Sequence, residues 1–343
     1  MNAGMNVLFV RLARFGTVLA LAVVMLGAWV RLHDAGLGCP DWPGCYGKLV
    51  VPDSATAAQD PGFAARPLVA AKAWREMIHR YLAGTLVLVC VALGVLAWRN
   101  RQDPSQPWRR PLALLGLIVF QALLGMWTVT WKLLPAVVMG HLLGGLLLFA
   151  LLAYTALRLT LPAAAADLSR LHRLTVIGIV LLAVQIALGG WTSSNYAALA
   201  CGNDFPKCLG FWWPPTDFRE GFVLWRGIGV NYEGGVLDTA ARTAIQLAHR
   251  IGALIVLGHV GLLAVVTARR AELRGYGIAI GALLLLQIAL GISNVMLGLP
   301  LPVAIAHNGV AAVLLFALLA LLVRTRDVRR ETREVRAEAG SRS

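Results

Sequence analysis

Eight stretches of mainly apolar residues recur along the chain, at about 15 to 32, 77 to 98, 112 to 131, 137 to 157, 173 to 193, 243 to 268, 277 to 297 and 302 to 323. A helix of about 20 apolar residues crosses the hydrocarbon core of a bilayer, so each stretch reads as one span. Only 14% of the 343 residues are charged and 58% are hydrophobic, against roughly a quarter charged in soluble domains. The expected fold is an all-α polytopic membrane protein. Its eight transmembrane helices, an even number, put both termini on one side.

Short cytoplasmic loops hold the excess of Lys and Arg. Arg11, Arg14, Arg99, Arg101, Arg109, Arg110, Arg158, Arg170, Arg173, Arg269, Arg270, Arg274 and the arginines after Val323 all fall on one side, which is therefore expected to be cytoplasmic. On the other side the short connections hold only Lys132. The net charge of +14 is thus largely topogenic, suits anionic headgroups and calls for no nucleic acid. Arg31, His33 and Asp34 interrupt the approach to Cys39, which argues against a cleaved lipoprotein-like signal. No Arg-rich, acid-poor presequence precedes the first span, so the expected location is a bacterial cytoplasmic membrane.

The sequence repeats itself. Leu26-Gly27-Ala28-Trp29 matches Leu188-Gly189-Gly190-Trp191 at an offset of 162, where Cys39 also meets Cys201; Cys45 meets Cys208 after one insertion. His79-Arg80 matches His249-Arg250 at 170, and Gln121, Gly125 and His141 match Gln287, Gly291 and His307 at 166. A four-span unit keeps its orientation on duplication, so two tandem-repeated four-helix bundles are expected side by side. The halves are 1–160 and 161–325, followed by a cytoplasmic tail at 326–343 that reads as a solvated short helix or disorder. Each half carries one long external loop, 33 to 76 and 194 to 242, with a cysteine pair. Trp212, Trp213 and Trp225 are expected at the membrane interface, where such rings prefer to sit.

Ionisable residues inside spans are costly and hence functional candidates. His79, His141, His249 and His307 each lie near the outer start of an inward-running span, at one shared depth. Two imidazoles on facing helices can hold a flat macrocycle from both sides, so each pair reads as a haem site. Tetrahedral zinc wants three or four ligands together rather than two separate pairs. Gly140, Gly144, Gly145 and Gly252 beside the histidines either leave room for such a ligand or let helices pack closely. His33 reads as solvated at the interface and His172 as topogenic. His259, about 15 Å deeper than His249, is expected to make a core hydrogen bond. Arg80 and Arg250 can hold haem propionates or snorkel to headgroups.

One departure from the repeat bears on chemistry. Three residues before the repeated histidine, the first half has Glu76 and the second Gln246. At i and i+3 each shares a helix face with its histidine. A carboxylate there can exchange a proton and an amide cannot, although an interfacial glutamate is also ordinary. Cys39 with Cys45 and Cys201 with Cys208, on an oxidising side, are expected to pair, either as loop staples or as redox-active bonds. Cys90 reads as inert core.

Glu76-Met77-Ile78-His79-Arg80, His141, His249-Arg250, His307 and the two cysteine loops, in that order over eight spans, resemble the haem A synthase family along essentially the whole chain. The resemblance implies oxidation of the C8 methyl group of haem O to a formyl group through successive hydroxylations and loss of water from a gem-diol, giving haem A for terminal cytochrome oxidase. It implies a resident haem b on His249 and His307, and a substrate haem site on His79 and His141 served by Glu76. It also implies a redox or haem-handling role for Cys39 and Cys45. Partners would be a haem O synthase supplying substrate, cytochrome oxidase assembly, an unidentified membrane electron acceptor and, optionally, a second copy of the chain. A dihaem b-type electron-transfer cytochrome shares the histidines but gives no reason for Glu76 against Gln246. A haem transporter would be expected to show Gly- or Pro-broken midplane helices, which are missing here.

Overall fold

The computed structural model describes residues 7–54, 61–63, 66–103, 107–164 and 167–326, and among these the regular elements are all helices, joined by irregular loops and without sheet strands. Eight long helices carry the eight apolar stretches: α1 Val7–Leu32, α2 Ala70–Arg99, α3 Arg109–Thr130, α4 Pro135–Thr160, α5 Ser169–Ser194, α6 Thr239–Ala268, α7 Arg274–Met296 and α8 Leu301–Arg324. Each is long and apolar enough to cross a membrane. The tail after 326 lies outside the described residues.

The helix ends follow local chemistry. Pro135 opens α4 and Pro302 sits in the first turn of α8, where an amide would have no partner in any case. The Asp238 carboxylate caps α6 by accepting from the Ala241 amide at 2.8 Å. Arg99, Arg158 and Arg324 occupy the last turns of α2, α4 and α8, where cations offset the helix dipole. The two tight outer turns are alike: the Leu133 amide donates to Thr128 O at 2.8 Å and the Leu299 amide to Asn294 O at 2.7 Å. Both turns need left-handed backbone, supplied by Gly298 in one (φ 69°) and taken by Lys132 in the other (φ 49°).

Neighbour relations make two closed rings. Helix α1 packs on α2 and α4, and α3 packs on the same two; α5 packs on α6 and α8, and α7 packs on the same two. The rings meet where α1 touches α8, α4 touches α5, and α4 touches α8. A polar tie spans this seam. The Arg31 guanidinium donates to Tyr196 Oη at 2.9 Å and Ser193 O at 2.6 Å, while lying over the Tyr196 ring. The second long loop also reaches across, with the Tyr232 amide donating to Lys132 O at 3.1 Å and Trp225 meeting Trp131 edge to face. Trp212, Trp213 and Trp225 are exposed, as interfacial rings would be.

The apolar core is not evenly distributed. Along α4, Val138–Gly145 are half-buried throughout, whereas Leu146, Leu148, Phe149, Leu152 and Ala153 beyond them are buried. The same core takes in Leu86 to Ala97 of α2, Val256 to Ala264 of α6 and Ala312 to Val323 of α8. Burial is therefore most complete at the end of the bundle away from the long loops. In that packed end, α7 approaches α6 so closely that a Cβ on Gly277 would sit 2.6 Å from Ala264 O. Gly277→Ala is expected to force the two helices apart and cost about 1–3 kcal/mol, the usual scale for overpacking. Thermal unfolding of the purified variant in detergent measures it.

Candidate haem-binding site

The four intramembrane histidines come together in pairs. His79 on α2 faces His141 on α4 with ring centroids 6.4 Å apart and planes 81° apart. Metal–imidazole bonds are about 2 Å long, so rings on opposite sides of one metal lie about 6 Å apart centre to centre. His249 on α6 and His307 on α8 lie within electrostatic reach of each other. Among the described residues no group of three or more His, Cys, Asp or Glu side chains could share a metal ion. The donors therefore come as twos, which suits a macrocyclic metal and not tetrahedral zinc.

Each imidazole rests on a glycine of a neighbouring helix. A Cβ at Gly27 would lie 3.2 Å from His79 Cε1, at Gly125 3.3 Å from His141 Cε1, at Gly189 3.0 Å from His249 Cε1, and at Gly291 3.1 Å from His307 Cε1. These four glycines are repeat marks in the sequence, and their role as seats emerges only in three dimensions. The glycines that the sequence offers as room for a ligand do something else. Gly144 and Gly252 make space for the side chains of Gln121 and Gln185, and Gly140 packs on Leu124. Helix packing is thus their role.

Nδ1 of His79, of His141 and of His307 is buried, and beside these rings stand the backbone carbonyls of Val23, Gln121 and Gln287 respectively. Paired imidazoles on facing helices, each seated on a glycine, fit an iron macrocycle. Two of the other histidines are internally satisfied: His259 Nε2 donates to Leu174 O at 2.9 Å, the core bond expected of it, and His33 Nδ1 donates to Trp29 O at 2.9 Å. His172 pairs with Thr325 Oγ1 at 3.2 Å.

Above the first pair, the loop beginning at His33 folds down onto α2. Cys39 and Cys45 form a disulfide and are fully buried, as are Cys201 and Cys208 in the second loop. Glu76 is only 5% exposed; it accepts from the Cys39 amide at 2.8 Å and pairs with Arg80. Arg80 also donates to the carbonyls of Asp41, Pro43 and Gly44. Arg250 repeats this in the second half with Asp204, Pro206 and Lys207, at 2.8 to 3.3 Å. Both guanidiniums thus anchor loops at the rim of a histidine pair. Gln246, in the place of Glu76, is buried with Oε1 unpartnered. Tyr46 packs under the first loop, where burial raises its phenol above the ordinary value and keeps it a neutral donor to Arg66 O. Cys90 is free and buried. Two functional candidates escaped the sequence reading. Gln185 bonds to His249 Nδ1 at 3.1 Å and has no repeat counterpart to flag it; Gln287 lies 3.2 Å from His307 Nε2 and is flagged only as a repeat mark.

Comparison with known proteins finds a family that matches nearly the whole chain. Residues 11–319 match the family model COX15-CtaA, described as a cytochrome oxidase assembly protein. The Heme A synthase of Shewanella oneidensis is 45% identical over 316 residues, covering 90% of this chain and 94% of that protein. The Heme A synthase of Caulobacter vibrioides is 31% identical, covering 90% and 93%. That of Paracoccus denitrificans is 29% identical, covering 88% and 83%.

The glycine seats give a direct test. Gly189→Ala should displace the His249 ring and lower the haem retained per purified protein. Gly258→Ala, on α6 where nothing lies within 4 Å of a new Cβ, should retain it in full. Pyridine haemochrome content of the two variants decides, and equal content would remove the seats from the site.

Proposed function

The chain belongs to the COX15-CtaA family of cytochrome oxidase assembly proteins, and we propose that it is a haem A synthase, a multi-pass membrane oxidoreductase. It oxidises the C8 methyl group of haem O to a formyl group and so makes haem A for terminal cytochrome oxidase. One observation carries the assignment of roles within it. Two helix rings hold matched pairs of half-buried imidazoles, yet among the described residues only the first has a carboxylate one turn from its histidine and under its loop.

The first half, 1–160, is the substrate half, where His79 and His141 bind and orient the haem O iron. The second half, 161–325, holds a resident haem b on His249 and His307. Supporting the duplication, the seam exchanges equivalent helices, α1 with α8 and α5 with α4, and both loops carry the same disulfide and the same arginine anchor. A haem b held by His249 and His307 would supply a one-electron redox centre. Glu76 offers a carboxylate that can take up and return a proton at the junction of α2 and the first loop, where the Cys39 amide and Arg80 fix it. The loop, pinned by Arg80, covers this junction and excludes water. Propionates could engage Arg80 or Arg250 only by displacing loop carbonyls, so loop anchoring is the first task of both. Cys39 and Cys45 sit where a change of their bond would alter the hold on Glu76, which supports a redox or haem-handling role.

The arginines on the side away from the long loops support a topology with both termini cytoplasmic, and the chain is assigned to a bacterial cytoplasmic membrane. Its substrate comes from a haem O synthase, its electrons pass to a membrane acceptor, and a homo-oligomer is compatible with the exposed helix faces. A purely electron-carrying dihaem cytochrome leaves the Glu76 and Gln246 difference without purpose.

Expression with a haem O source followed by analysis of extracted haems tests the assignment. Glu76→Gln is nearly isosteric, and Gln246 shows that the fold accepts an amide there. The variant should retain haem b but make about 100-fold less haem A, the scale of an acid–base group, and accumulate haem O or a partly oxidised form. Wild-type haem A from this variant would remove Glu76 from the reaction. His249→Ala or His307→Ala should abolish the low-spin haem b spectrum, and survival of that spectrum in both would overturn the resident site.

A further inference from the structure

We propose that the apolar cavity between α5 and α6, next to His249, is the binding site of a membrane-dissolved quinone that accepts the electrons of the oxidation. The inference rests on the reading of the chain as a haem A synthase whose second half holds a haem on His249 and His307. It names the chemical class of the acceptor this reaction needs and the place where that acceptor binds.

The cavity has a volume of about 360 Å³, inside the range of roughly 300–1,000 Å³ usual for small-molecule sites. Val184 and Gln185 of α5 and Gly252 and Ile255 of α6 form its walls, and the second long loop adds Trp213 and Phe218. Val184 and Ile255 are exposed on helix faces that meet the bilayer, so a lipid-soluble molecule enters from the side without crossing water. Trp213 and Phe218 stack with centroids 6.0 Å apart and planes 28° apart, which makes an aromatic wall for a flat ring. Gln185 is the one amide or charged side chain in the lining. Its Nε2 lies 3.1 Å from His249 Nδ1, and its Oε1 stands beside Gly252 without a hydrogen-bond partner. The cavity thus shares a wall with a histidine of the second pair. At the repeat offsets of 162 and 170 the first half has Val23 and Leu82 in the places of Gln185 and Gly252, so the repeat supplies neither the amide nor the gap there.

The balance of the reaction sets the class of ligand. Turning a methyl group into a formyl group with one water gives up four electrons and four protons. Two quinones, each taking two electrons and two protons, become two quinols, so atoms and electrons balance. A quinone is flat and lipid-soluble and carries carbonyl oxygens that accept hydrogen bonds, which matches an aromatic wall, access from the membrane and one amide. When His249 ligates through Nε2, its Nδ1 carries the proton. The Gln185 amide then turns to accept that proton through Oε1, and its N–H faces Gly252 as a donor to a quinone carbonyl. The head group stands one side chain from a haem ligand, and the quinol formed leaves sideways into the bilayer. A phospholipid acyl chain fits the apolar walls but has no use for the amide.

Photolabelling of the purified full-length protein with an azido derivative of decylubiquinone tests the site, and mass spectrometry locates the label. The label should fall on α5 and α6 around the cavity and on Trp213 or Phe218. Val184→Trp and Ile255→Trp, which fill the cavity from its two walls, should each abolish labelling, whereas Val119→Trp on the exposed face of α3 should leave it intact. Gln185→Val should raise the half-saturating quinone concentration about 3–10-fold, the scale of one lost hydrogen bond. Anaerobic reoxidation of dithionite-reduced haem b by decylubiquinone, followed by its visible spectrum, should slow in parallel in both tryptophan variants. Wild-type labelling in both folded tryptophan variants would overturn the proposal. So would label displaced equally well by a phospholipid, which marks a lipid groove only, or reduced haem b that decylubiquinone fails to reoxidise in the wild-type protein. Low-spin haem b persisting in His249→Ala would instead strike the ligand reading, on which labelling of the cavity does not depend, so the two failures are distinguishable.

Discussion

The structure depends on the need to hold neutral imidazoles inside a bilayer-spanning bundle. A histidine in such a place is expensive unless its ring is sterically defined and its nitrogens have something to bind. The chain meets the steric part with glycine: Gly27, Gly125, Gly189 and Gly291 each let a neighbouring helix come within about 3 Å of an imidazole edge. Helix spacing, loop placement and the uneven core all follow from keeping that geometry near one end of each ring and packing the other end solid.

The long loops are part of the same arrangement rather than decoration on it. Arg80 and Arg250 each follow a site histidine and spend their donors on carbonyls of the loop above. The disulfides shorten those loops so that the carbonyls converge on one guanidinium. In the first half this convergence also brings the Cys39 amide to Glu76, which couples the one buried carboxylate beside a histidine pair to the loop's conformation. The second loop extends further and reaches the α3–α4 turn through Tyr232 and Trp225. The two rings are thus joined at the outer rim as well as along α1, α4, α5 and α8.

Set against this symmetry, the differences acquire meaning. A carboxylate at 76 stands against an amide at 246, and Gln185, which bonds to His249 beside Gly252, stands against Val23 and Leu82.

The sequence by itself determined the eight helices, the cysteine pairs and the family resemblance, because hydropathy and a shared order of marks are local properties that survive without coordinates. Helix bounds came out within several residues at every span, longest of all at α1, which begins at Val7 rather than near 15. Tertiary structure alone decided which glycines matter and for what. Gly144 and Gly252 lie next to the histidines in sequence yet face glutamines, while Gly27 and Gly189 are far from them in sequence yet touch the rings. It also decided that Arg80 and Arg250 grip loop carbonyls and that Gln185 grips His249. Contacts between helices depend on rotation about each axis and on the closeness of approach, and an apolar sequence that is hydrophobic on nearly every face leaves both undetermined until the helices pack.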